Sequence, residues 1–202
     1  MSSDEAAVPH VRAVSAAEQA RAVATIVLAF GTDPMARWSM PDPDVYLTHF
    51  PGLVRAFAGN AFETANAHVV ADFAGVAVWL SPGSESDGDA MVAIMEKAMA
   101  PARFAEGGAV FEQMAEFHPA EPHWYLPLIG VDPARQGKGL GSALMRHALR
   151  ECDRTGVPAY LESSNPGNVP FYQQHGFKLM GEIQAGSSPV LYPMLRRPRA
   201  AD

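Results

Sequence analysis

Strands and helices alternate along this chain in a way that predicts an α/β fold, with helices packed over a largely single sheet. Three observations carry that expectation. Stretches of strand character lie at His68–Gly83, Trp124–Val131 and Pro158–Ser164; apolar residues recur at helical spacing between them; and strand–loop–helix–strand runs without a break from Trp124 to Ser163. The balance of 48% hydrophobic and 18% charged residues suits one globular domain over 1–202, and no internal repeat is present.

The elements follow in chain order. His10–Ser15 reads as a short strand closed by a capping box, Ser15 and Glu18 having the S-x-x-E spacing that satisfies free amides at a helix start. Ala20, Val23, Ala24, Val27 and Leu28 then mark one face of a helix. Phe30–Pro43 contains Gly31 and three prolines and is expected to break regular structure before a second helix over Val45–Ala58. His68–Gly83 reads as two strands around a turn near Asp72–Gly75. Helical sequence runs from Ala90 to about Phe117, with interruptions expected at Pro101 and at Gly107–Gly108.

Trp124–Val131 is a strand with an anomaly: Pro127 cannot donate to a ladder, so the strand must be irregular or open on one side. Leu140, Ala143, Leu144, Ala148 and Cys152 share one helical face, and that helix stops at Gly156. Pro158–Ser164 forms the next strand and Val169–His175 a short helix. Phe177–Arg196 forms a strand pair turning near Gly186–Ser188.

Composition narrows the function. A net charge of −7 lacks the basic footprint of a nucleic-acid binder. The single cysteine, Cys152, excludes an internal disulfide and a cysteine-based zinc site, and its apolar neighbours make it a buried small hydrophobe. His118 and His123 have no third ligand at metal-like spacing, so no metal is expected. The N-terminus carries Asp4 and Glu5 rather than a basic region before an apolar core. The most apolar early stretch, Ala22–Phe30, is about half the ~20 residues that span a bilayer. The expectation is a cytoplasmic protein with no membrane partner.

Gly130–Met145 reads GVDPARQGKGLGSALM: a strand end, a glycine loop and the start of an apolar helix. Free backbone amides at a helix N-terminus make a seat for phosphate, and glycines let the backbone approach it closely. A Walker-type loop does not fit, because Gly137–Lys138 is followed by Gly139 and the upstream glycine position holds Asp132. A dinucleotide loop fits poorly, since Asp132–Gln136 separates Val131 from Gly137 and Ser142 stands where the third glycine belongs. Glu162 does fall near the place of an acidic ribose partner, which keeps that reading open beside the bland one of a ligand-free turn.

The pattern that does fit is Q/R-x-x-G-x-G/A, given by Gln136, Gly139 and Gly141. Downstream, Asn165, Tyr172, Gly176 and Phe177 match N-x-x-A-x-x-x-Y-x-x-x-G-F, with Asn168 in place of the small residue. In both motifs the chain resembles the GCN5-related N-acetyltransferases (GNAT). Val76–Trp79, Glu121–Leu144, Gly156–Ser163 and Asn168–Phe177 look most like the puromycin N-acetyltransferases of that family. The stretches 33–59 and 91–117, which usually shape the acceptor pocket there, match less well.

The resemblance implies a mixed, mostly antiparallel central sheet with a splayed strand pair, flanked by helices. It implies acetyl transfer from acetyl-coenzyme A to a primary amine of a small molecule, such as an amine antibiotic or aminoacyl-nucleoside, by direct attack. The alternative is a non-catalytic acyl-coenzyme A binder. Homodimers are frequent in the family. The amides of Gln136, Gly137, Lys138, Gly139, Leu140, Gly141 and Ser142 would face the pyrophosphate, with Arg135 and Lys138 either neutralising phosphate oxygens or simply solvated. Backbone at Ile129 and Val131 would hold the pantetheine arm, and Asn165, Asn168, Phe171 and Tyr172 would complete the cofactor site.

Tyr172 is the candidate general acid, and an amide near Leu128–Ile129 the candidate oxyanion donor. For the general base Glu162, Glu121, His123 and water remain open. Met35, Trp38, Met40 and Phe57 are candidates for an apolar acceptor pocket, while Phe62 and Trp79 read rather as core. Asp33 either attracts a cationic amine or caps the next helix turn.

Overall fold

The protein is described by a computed structural model over residues 9–199, so Asp4 and Glu5 lie outside the described residues. In chain order the elements are β1 (Val11–Ala13), α1 (Gln19–Ala29), α2 (Pro34–Ser39), α3 (Pro43–Ala58), β2 (Ala67–Val70), β3 (Gly75–Leu80), α4 (Gly88–Ala98) and α5 (Pro101–Phe117). They continue as β4 (Trp124–Val131), α6 (Leu140–Thr155), β5 (Ala159–Ser163), α7 (Val169–Gln174), β6 (Lys178–Leu179) and β7 (Tyr192–Arg196). The strands form one seven-stranded sheet in the order β1-β2-β3-β4-β5-β7-β6. Every neighbouring pair is antiparallel except β4 and β5, which run parallel. This is the mixed, mostly antiparallel sheet that the resemblance implied.

The anomaly at Pro127 is where the sheet departs from regularity. Val78 pairs with Leu128 but Leu80 pairs with Tyr125, so two steps along β3 are met by three along β4. That extra residue is a bulge in the segment holding Pro127, the kind of place where a missing amide proton is tolerated. On its other side β4 pairs with β5 only at Trp124↔Ala159 and Tyr125↔Tyr160. Beyond Tyr125 the two strands part.

Each sheet face carries its own core. On one face Leu128, Val76 and Val78 pack with Ile26 of α1, Val54 of α3 and Met91 of α4. On the other, Leu126, Ala77 and Leu161 pack against α6, whose Leu140, Ala143, Leu144, Met145, Ala148, Leu149 and Cys152 are all buried. Cys152 is 1% exposed and its burial pushes the thiol up to about 12, which fits a small hydrophobe and not a nucleophile. Gly130 lets α1 lie close against β4, since a Cβ there would sit 2.6 Å from the Ala29 Cβ.

Two sequence expectations are corrected. Phe30–Pro43 is not wholly irregular: Pro34 opens α2 and Asp33 caps it, because proline fits the first helical turn, where no amide proton is needed. Gly107–Gly108 does not interrupt α5, which runs through to Phe117. Gly107 is instead a packing position, where a Cβ would come 3.2 Å from the Met95 Cε.

The C-terminal strand is anchored by an ion pair between a buried arginine and a partly exposed aspartate. Arg196, 3% exposed, donates to both Asp153 oxygens at 2.8 Å and to the His175 carbonyl at 3.0 Å, tying β7 to the end of α6 and to α7. Removing the arginine loses these charge-assisted hydrogen bonds but leaves a partly solvated carboxylate, a loss of about 2 kcal/mol. Arg196→Ala is therefore expected to lower the urea midpoint by that equivalent; an unchanged midpoint would show that the anchor is dispensable.

Candidate active site

Parting of β4 from β5 opens a cleft of about 550 Å³ in the sheet. Leu126, Pro127, Ile129, Gly130 and Val131 line it from β4, and Glu162 and Ser163 from β5. The loop and first turn of α6 supply Arg135, Gln136, Gly137, Gly139, Leu140, Gly141 and Ser142. Asn165, Asn168, Phe171 and Tyr172 close the far wall. The cofactor-site residues read from the sequence, with Glu162 and Tyr172, therefore converge on one cavity, apart from Lys138, which is exposed and not part of its lining.

The loop owes its shape to two glycines. Gly137 and Gly139 have φ of 73° and 74°, the left-handed region that other residues resist. Gly139 is the N-cap of α6, and no side chain caps the amides that follow it. Asp33, Asp42 and Asp87 each accept first-turn amides of α2, α3 and α4, whereas α6, like α1, α5 and α7, has no capping side chain. Helix α6 points uncapped amides and the positive end of its dipole at the cleft, which suits a diphosphate. The Gln136 side chain braces the loop by donating to the Val131 carbonyl at 3.3 Å, and Ser142 Oγ pairs with His175 Nε2 at 3.1 Å. Asn165 accepts from the Gly167 amide at 2.9 Å, so its side chain shapes the turn before α7.

A second, apolar pocket of about 120 Å³ adjoins the cleft. Met35, Trp38, Phe57, Phe111, Met114 and Tyr125 are among its walls. Trp38 is held by a hydrogen bond from its Nε1 to Ser187 Oγ at 3.1 Å, and Ser187 is in turn held by Glu106 at 2.6 Å. Met40, by contrast, is fully buried core and does not line the pocket; Phe62 and Trp79 are core as well.

Two carboxylates, Asp33 and Glu162, border both cavities. Asp33 is occupied: Oδ1 accepts the Met35 and Ala36 amides at 3.0 Å each, and Oδ2 accepts the Ser164 hydroxyl at 2.6 Å. The capping alternative for Asp33 is the one observed. Glu162 keeps some exposure along the cleft, but its Oε1 is enclosed and has no hydrogen-bond partner. Burial raises its carboxyl to about 7, against the opposing influence of the Tyr125 and Tyr160 hydroxyls, which favour the charged form. Neither Oε1 nor the Tyr160 hydroxyl closes a hydrogen bond in this arrangement.

Of the other base candidates, Glu121 is exposed and paired with Arg197. His123 Nδ1 bonds the Glu121 carbonyl at 2.9 Å. Tyr172 is 6% exposed, and burial, with the Asp33 charge adding to it, pushes its phenol well above the ordinary value, so it stays protonated and able to donate. Among the described residues no group of His, Cys, Asp and Glu is arranged to hold a metal, and no helix is long and apolar enough to cross a membrane.

Residues that the sequence reading missed are Tyr125, Tyr160, Ser164 and Phe30. Tyr160 was readable in principle, two positions before Glu162 on the same face of β5. Tyr125 reaches it only through the parallel register of β4 on β5.

Comparison with known proteins agrees with the geometry. Residues 85–177 match the model of the acetyltransferase (GNAT) family. An uncharacterized N-acetyltransferase of Schizosaccharomyces pombe is 30% identical over 188 residues, 81% of this chain and 72% of the relative. The chain belongs to the GNAT family. Among solved structures, the Corynebacterium glutamicum protein named "histone acetyltransferase HPA2 and related acetyltransferase" superposes with a TM-score of 0.69 at 26% identity, covering 96% of this chain and 98% of that one. Arylalkylamine N-acetyltransferase 2 of Aedes aegypti has the same fold, with a TM-score of 0.64 at 12% identity over 95% of this chain and 99% of that one.

GNAT enzymes take acetyl-coenzyme A as co-substrate, and the uncapped loop and helix start fit its diphosphate. Gly139→Val puts a β-branched side chain at positive φ beside those amides. Acetyl-coenzyme A affinity is expected to fall at least tenfold by calorimetry. Unchanged affinity would remove this loop from the cofactor site.

Proposed function

We propose that this chain transfers the acetyl group of acetyl-coenzyme A to the primary amine of a small molecule with an apolar, ring-sized body, by direct attack of the amine on the thioester. One observation carries the reading: Glu162 borders both the cleft and the apolar pocket and has an oxygen, Oε1, with no hydrogen-bond partner. An amine whose body sits among Met35, Trp38, Phe57 and Phe111 presents its nitrogen toward that carboxylate and toward the cleft. The stretches resembling puromycin N-acetyltransferases lie mostly in the cofactor half, so they support the transfer reaction and leave the acceptor to the pocket. The names of the solved neighbours span histone and arylalkylamine acceptors, which leaves the choice to the pocket too. The co-substrate is a metabolite of the cell interior, which supports a cytoplasmic setting, and one sheet shared by both cores supports a single domain over 1–202.

Acetyl-coenzyme A brings a thioester whose carbonyl carbon is the electrophile. The α6 start and Arg135 hold its diphosphate, while the open edge of β4 at Ile129–Val131 orients the arm. Glu162 accepts the ammonium proton; it is a base only when ionised. A strand amide near Leu128–Ile129 donates to the developing oxyanion. Tyr172, in the cleft wall beside the loop, donates its phenolic proton to the departing sulfur.

A panel of amines assayed by thiol release tests the acceptor: single-ring arylalkylamines are expected to turn over faster than polyamines or basic peptides. With the best amine, kcat should rise about tenfold per pH unit below pH 7 and level off above it, because the carboxyl near 7 must lose its proton to act. Glu162→Gln is expected to cut kcat by roughly a hundredfold or more and abolish that limb, and Tyr172→Phe to cut kcat with little change in acetyl-coenzyme A affinity. Acetyl-coenzyme A binding without turnover of any amine would instead make this a non-catalytic acyl-coenzyme A binder.

A further inference from the structure

We propose that the proton taken up by Glu162 leaves the site through Tyr160 and Tyr125 to His118, and from there reaches water. This rests on Glu162 serving as the base. Acylation of an ammonium, R–NH3+, by a thioester yields an amide, a thiol and one free proton. Of the two protons that nitrogen sheds, one ends on sulfur by way of Tyr172, and the other sits on the Glu162 carboxylate and must be discharged before the next turnover. While both substrates occupy the cleft and the pocket, the route back through them is blocked.

Behind Glu162 the structure offers another route. Tyr160 lies two residues earlier on the same face of β5, and strand register sets Tyr125 opposite it. The His118 ring, at the end of α5, lies over both tyrosines, with centroids 4.8 Å from Tyr125 and 4.7 Å from Tyr160. His123 continues the series at 5.1 Å from His118 and 5.8 Å from Tyr160. Both histidines are partly exposed. These distances put the rings in contact, and the proposed route runs from ring to ring with water bridging the hydroxyls and ring nitrogens, which make no direct hydrogen bond to one another. Because His123 Nδ1 faces the Glu121 carbonyl at 2.9 Å it carries the proton there, which leaves its Nε2 as an acceptor.

Two features distinguish this group from ordinary aromatic packing. Glu162 Oε1 and the Tyr160 hydroxyl are both buried without a hydrogen-bond partner, and a buried orphan of this kind calls for a role. The titratable rings in contact with His118 are His123 before β4, Tyr125 on β4 and Tyr160 on β5, and Glu162 interacts with both tyrosines. Burial, followed by the charge of Glu162, holds both phenols above their ordinary range, so they pass a proton by accepting and donating together and never exist as phenolates. Burial and then His123 hold His118 below its ordinary value, so at pH 7 it is neutral and gives up a captured proton readily.

His118 is thus a positioning residue for proton exit and touches neither substrate. The test uses the full chain, acetyl-coenzyme A, and 2-phenylethylamine or the amine that the panel selects. For His118→Ala, kcat is expected to fall roughly tenfold or more with both KM values unchanged, the solvent deuterium effect on kcat to grow, and millimolar imidazole to restore most of the rate. The double variant Tyr125→Phe/Tyr160→Phe should show the same loss without rescue. A His118→Ala enzyme with parental kcat and pH profile overturns the route, as does a loss that comes with raised KM and ignores imidazole. A double tyrosine variant with parental kcat overturns the path through the phenols. If Glu162→Gln is inactive while His118→Ala is unaffected, the relay alone fails; if Glu162→Gln stays active, the base assignment fails first.

Discussion

Pro127 has no amide proton to give a ladder, and β4 keeps its pairing with β5 only up to Tyr125. The site depends on this lapse in an otherwise continuous sheet. A sheet paired throughout would have no cleft, because hydrogen-bonded neighbours lie about 4.8 Å apart. The bulge in the same segment shifts β4 by one residue, so Leu126 faces the core under α6 while Leu128 faces the core under α1 and α3. The strand thus stays fixed in both cores while its edge is free to meet a ligand.

Helix α6 serves both ends of the design. Its apolar face is fully buried, so tertiary packing holds the helix without help from a cap. A capping side chain is worth about 1 kcal/mol, and the helix forgoes it where α2, α3 and α4 do not. Its first amides are thus left without a side-chain partner at the edge of the cleft. Asp33 shows the opposite solution a short distance away: its oxygens are consumed by α2 and Ser164, which leaves the unpartnered Oε1 of Glu162 to act at the junction of the cavities.

How legible this was from sequence depended on how local the cause was. The extent of β4, the glycine loop and the stop of α6 at Gly156 are set by residues within a few positions, and all three appear as read. The family resemblance carried by Asn165, Tyr172, Gly176 and Phe177 implied a cofactor site holding Asn165 and Tyr172, and both line the cleft. Errors arose where one residue type has two physical uses. Pro34 starts a helix rather than breaking one, and Gly107 makes room for Met95 and Met99 rather than ending α5. Preferring Glu162 to Glu121 as the proposed base rests on tertiary facts, namely the Arg197 partner of Glu121 and the enclosure of Glu162 beside two tyrosines. Strand pairing between distant segments, which brings Tyr125 to Tyr160, leaves no mark in either segment alone.

The central claim is that free main-chain donors at the parted strand and the uncapped helix start form the seat of acetyl-coenzyme A. Amide hydrogen exchange with and without the thioester tests it most directly. Strong protection on binding is expected at Gln136–Ser142 and along Leu126–Val131, with little change at the already paired β2 and β3. Saturating acetyl-coenzyme A that leaves Gln136–Ser142 exchanging as fast as in the free protein would contradict the account.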